Sequence, residues 1–229
     1  MKMFPLLLAV IATTVLAGSV AAQATEEEAT KDFLEFALFG GGSVPIGGIA
    51  DWSVTSPTTG TEQLGTKLGY SFGFDVGHFL TPSLVVGVDL LYAQYGVDAT
   101  QPDAATLHHR LISPAAYVKH YFLSESNLLP YVKGQVGVDV VKFATKVYDP
   151  NVDGQVYREL SYHPALALGI GGGLMYYTFD YGGIYAEANY HMAFTSNVQS
   201  NFYDRTYEFG TTTSVFDIHA GVKIFFGGE

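Results

Sequence analysis

The sequence predicts an all-β protein, a closed antiparallel transmembrane barrel of about eight strands, with short turns at one end and long loops at the other. Three observations carry this reading. Apolar and polar residues alternate in run after run of the chain. The polar phase of those runs is crowded with glycine. Only 14% of the residues are charged although 48% are apolar. Successive side chains on a strand point to opposite faces, so each alternating run is a strand with one apolar and one polar side. A soluble domain carries about 25% charged residues, and the deficit here means that much of the surface meets something other than water.

The first segment reads as an address rather than a fold. Lys2 precedes an apolar run from Phe4 to Leu16, and Ala22-Gln23-Ala24 fits the small-residue cleavage pattern of a secretory signal. Residues 1–24 are therefore expected to be a cleaved signal peptide, residues 25–32 an acidic lead, and residues 33–229 the barrel domain. The chain has no cysteine, which excludes disulfides and thiolate metal sites. Its net charge of −11 argues against nucleic acid as a partner.

The strands follow in order. In Leu68–Phe79 the residues Leu68, Tyr70, Phe72, Phe74 and Val76 alternate with Gly69, Ser71, Gly73, Asp75 and Gly77. Leu84, Val86, Val88, Leu90 and Tyr92 alternate with Val85, Gly87, Asp89 and Leu91. Gly183–Phe194 sets Ile184, Ala186, Ala188, Tyr190 and Met192 against Tyr185, Glu187, Asn189 and His191. Ser214–Phe226 sets Phe216, Ile218, Ala220, Val222 and Ile224 against Asp217, His219, Gly221 and Lys223. Looser runs cover Phe33–Val44, Leu111–Phe122, Tyr131–Lys142 and Leu160–Tyr176. Several approach the roughly 10 residues that cross a membrane in a barrel. The short connections "LTPS", "LSESNL" and "TFDYGG" alternate with long polar ones at Ile46–Gln63, Val97–Thr106, Thr145–Val156 and Asn197–Thr212.

A soluble lipocalin-like barrel would also alternate, with its apolar set inside. Glycine argues against it. Gly69, Gly73, Gly77, Gly87, Gly137, Gly169, Gly171 and Gly221 all fall in the polar phase. A solvated face has no need of them, whereas a narrow interior needs small side chains beside a few large ones. The bulky set then faces outward, and only lipid rewards such a surface. Ile184, Tyr190 and Met192 are expected to meet lipid, and Glu187, Asn189 and His191 the lumen.

On these features the chain resembles the small bacterial outer-membrane barrels, the OmpA-like and OmpX-like group, and most closely in Ile112–Val138, "ISPAAYVKHYFL…NLLPYVKGQVGV". The resemblance implies an exported protein of the cell outer membrane in a Gram-negative-type bacterium. It also implies contact with outer-membrane lipid and lipopolysaccharide, handling by the outer-membrane assembly machinery, and loops available to an extracellular ligand. Barrels of this group usually end on an aromatic residue read by that machinery. Here Phe225-Phe226 is followed by Gly227-Gly228-Glu229, which displaces the signal.

The lumen phase collects Glu35, Asp75, Asp89, Asp139, Glu187 and Asp217 against Lys119, Lys133 and Lys223. Counting back from the short turns sets Asp75 opposite Asp89 and Lys119 opposite Lys133. Like charges so placed repel, so the acidic and basic patches are expected to reach across the lumen and pair, Lys133 with Asp75 among them. His163, His191 and His219 are expected to serve the surplus acids as donors.

Other motifs are weaker. Asp149–Gly154, "DPNVDG", begins like a calcium loop, but the twelfth position holds Leu160 where a bidentate Glu is needed. His108 and His109 are adjacent on a strand and point to opposite faces, so they cannot share an ion. Glu187 and His191 stand about 13 Å apart along their strand, too far for a direct catalytic pair with Ser196 nearby. Tyr92, Tyr121, Phe122, Tyr131, Tyr176 and Phe226 read as interfacial aromatics. The expectation is a non-enzymatic envelope or surface-interaction protein with a filled lumen and no cofactor or metal. The competing readings are a narrow channel or binding protein for a small apolar ligand, of the OmpW-like kind, and a lipid A-modifying barrel enzyme.

Overall fold

The computed structural model describes residues 34–47, 50–56, 60–98, 108–124, 126–149, 154–161, 163–179, 181–194, 198–202, 205–209 and 212–227. The expected signal segment 1–24 and lead 25–32 lie outside them. Among the described residues there are twelve strands: β1 Leu34–Ile46, β2 Asp51–Ser56, β3 Gly60–Thr81, β4 Leu84–Asp98, β5 His108–Tyr121, β6 Leu128–Asp149, β7 Gly154–Ser161, β8 Ala165–Phe179, β9 Gly182–Ala193, β10 Val198–Phe202, β11 Arg205–Phe209 and β12 Thr213–Phe226.

Eight of them close a barrel in the order β1, β3, β4, β5, β6, β8, β9, β12. Closure is made by β1, which pairs with β12 from Leu34↔Phe226 to Ile46↔Ser214 and with β3 from Leu34↔His78 to Ser43↔Gly69. Every neighbour runs antiparallel, and no strand edge is left open within the barrel. This satisfies the backbone without water, as a membrane interior requires.

The two faces are chemically opposite. Leu38, Val88, Ile170, Ile184 and Ile218 are each more than half exposed on the outside. Residues next to them in sequence point into the barrel and are buried, Ala37, Asp89, Tyr185 and Asp217 among them. That outer surface is stable only against hydrocarbon.

Glycine makes room for the large inward side chains. Gly77 and Gly87 are cross-strand partners, and the Tyr117 ring lies over both. A Cβ at Gly77 would stand 2.4 Å from Tyr117 Oη, and one at Gly87 would stand 2.6 Å from its Cζ. Gly173 relates to Tyr131 in the same way, at 2.5 Å from Oη, and Gly221 to Tyr185 at 2.8 Å.

The long connections depart from expectation. Ile46–Gln63, Thr145–Val156 and Asn197–Thr212 are not plain loops, because they carry β2, the outer ends of β3 and β6, the start of β7, and β10 and β11. β2 pairs with β3 and β11, β11 with β10, and β7 with β6. Backbone pairing continues past the membrane, while the apolar alternation that marks lipid-facing strands stops there. The run expected as one strand over Leu160–Tyr176 is likewise two elements. β7 ends at Ser161, and β8 begins at Ala165, after Pro164.

One irregularity shifts a face. The β3–β4 register slips between Thr66 and Gly69, a bulge that reverses the phase of β3 above it. Thr66 thereby meets the inward-pointing His109, its Oγ1 3.1 Å from Nδ1.

Candidate functional site: the charged lumen

The lumen charges come from strands whose inward phase is set by the apolar phase outside. At the short-turn end, Glu35 on β1 is the hub. It accepts hydrogen bonds from Lys119 and Tyr121 on β5, and Lys223 Nζ on β12 lies 3.3 Å from Glu35 Oε1. Lys223 also donates to Tyr121 Oη at 2.7 Å. Lys119 stands 3.5 Å from Asp75 on β3. Since β3 and β4 separate β1 from β5 around the wall, the Glu35–Lys119 pair crosses the lumen. Glu35, Lys119 and Lys223 are all 0% exposed.

The middle of the barrel is held by Lys133 and Glu187. Lys133 Nζ is 2.7 Å from Asp89 Oδ2 and 3.7 Å from Glu187 Oε1. Glu187 also accepts from Tyr131 Oη at 2.7 Å and from Asn189 Nδ2 at 2.5 Å. Aromatic faces take up the remaining positive charge. The Tyr117 ring centroid is 4.8 Å from Lys119 Nζ and 4.9 Å from Lys133 Nζ, and Lys223 Nζ is 4.5 Å from the Tyr131 ring. Such contacts strengthen in a dry interior.

Toward the long-loop end the network thins. His191 Nε2 and Asp139 Oδ2 are 2.6 Å apart, Ser43 Oγ and Tyr95 Oη 2.7 Å, and Ser71 Oγ and His219 Nε2 2.8 Å. Both carboxylate oxygens of Asp217, and Oδ1 of Asp139, are buried without a hydrogen-bond partner. The Ser71–His219–Asp217 trio is not a catalytic triad. Asp217 approaches the same Nε2 that meets the serine, at 3.9 Å, where a triad needs the acid on Nδ1.

Eleven of the twelve residues assigned to the lumen from sequence are buried there: Glu35, Asp75, Asp89, Lys119, Lys133, Asp139, Glu187, His191, Asp217, His219 and Lys223. His163 is not. It is exposed and lies between β7 and β8, because the inward phase of Ala165 and Ala167 cannot be extended past the start of β8. Asp75 and Asp89 are direct partners, as are Lys119 and Lys133. The expected Lys133–Asp75 pair is replaced by Lys133–Asp89 and Lys119–Asp75. Each lysine is two strands away from its acid, and strand stagger selects between the two acids. Tyr121 and Tyr131, expected at the membrane interface, are 2% exposed inside the lumen. They share the inward phase of Lys119 and Lys133, a signal already present in the sequence. Phe122, Tyr176 and Phe226 do lie on the outer surface. Ser196 and residues 150–153 of the "DPNVDG" stretch lie outside the described residues. Among the described residues no cluster of three or more His, Asp or Glu could hold a metal ion.

No protein-family model matches the chain, and no curated protein does. Solved structures do. The outer membrane protein OprG from Pseudomonas aeruginosa superposes with a TM-score of 0.50 at 15% identity, over 83% of this chain and 95% of that one. Neisserial surface protein A gives 0.47 at 14% identity, over 84% and 96%. The outer membrane protease OmpT from Escherichia coli gives 0.45 at 10% identity, over 90% and 100%. With its apolar outer wall and closed eight-stranded sheet, the chain has the fold of the small outer-membrane β-barrels of the OmpA-like and OmpX-like group.

Proposed function

We propose that the protein is a non-enzymatic constituent of the outer membrane. In this reading the barrel is a rigid, filled element of the envelope wall, and its long connections are presented to extracellular ligands. The observation that carries the reading is the Glu35 hub. It ties β1, β5 and β12 together across the lumen, with three fully buried charged side chains. Export by a signal peptide ending at Ala24 belongs to the same proposal, as does delivery by the outer-membrane assembly machinery.

Planar-bilayer recording on refolded protein tests it. The wild-type chain should show no discrete conductance, while Glu35→Ala should open a leak. Discrete wild-type channels would sink the filled-lumen reading and favour passage of a small ligand. The mature protein should begin at Thr25 by intact mass.

A further inference from the structure

We draw no further inference here: the strongest candidate, the side-chain cluster in the long-loop half of the lumen where Asp139 and Asp217 are buried with carboxylate oxygens that have no hydrogen-bond partner, is an acidic pair beside which nothing among the described residues shows a ligand.

Discussion

Lys119 and Lys133 stand directly opposite one another across the β5–β6 ladder, and both ammonium groups lie against a single ring, Tyr117, at 4.8 and 4.9 Å from its centroid. The matching acids, Asp75 and Asp89, are opposite one another across β3–β4. Each lysine reaches over one intervening strand to a different acid. Two repelling pairs thus become two attracting ones, without any strand carrying both signs of the same pair.

This arrangement sets the outcome of a double-mutant cycle. Lys133→Met should destabilise the barrel by about 3–5 kcal/mol, because Asp89 is left buried and uncompensated. Adding Asp89→Asn should recover a clear part of that loss, whereas adding Asp75→Asn should recover less, since Asp75 faces Lys119. Urea unfolding in lipid vesicles measures these three variants and the two single changes, Asp89→Asn and Asp75→Asn. Strict additivity of Lys133→Met with Asp89→Asn would mean that the pair contributes no coupling.

The two ends of the lumen should respond differently to losing a negative charge. Glu35 binds two lysines and a tyrosine, so Glu35→Gln should cost about 3–5 kcal/mol. Asp217 has no donor on either carboxylate oxygen, so Asp217→Asn should cost under about 1 kcal/mol or stabilise the fold. Equal losses in unfolding experiments would contradict this division.

Room beside the lumen aromatics is a third expectation. Gly87→Val drives a branched side chain into the Tyr117 ring and should cost about 1–3 kcal/mol through overpacking. Pairing it with Tyr117→Leu should return part of the loss. If Gly87→Val refolds with unchanged stability, the ring does not rest on that glycine.

On the outer wall, Val88 is 57% exposed within the apolar band. Val88→Arg should cost about 2–4 kcal/mol in a bilayer, and Val88→Leu almost nothing. Comparison in lipid and in detergent locates the penalty. A similar cost for both substitutions would point to packing rather than lipid contact.

Much of this molecule is legible in one dimension. Strict alternation separates Val88 from Asp89 and Ile218 from Asp217, and glycine in the polar phase tells which face is crowded. Short turns then count out the ladder partners Asp75↔Asp89 and Lys119↔Lys133. All of these follow from the two-residue period of a strand and from hairpin geometry, which are local properties.

What the closed barrel alone decided are the contacts that skip strands. Glu35 meets Lys119 across the lumen, and Lys133 takes Asp89 and Glu187 rather than Asp75. His163 falls outside the network, and a bulge turns Thr66 inward to His109. Alternation states only that a side chain points inward. Which opposite charge it reaches depends on the stagger accumulated over several strands, on where a strand ends, and on the single-residue slips between them. Those quantities exist only once the sheet has closed on itself.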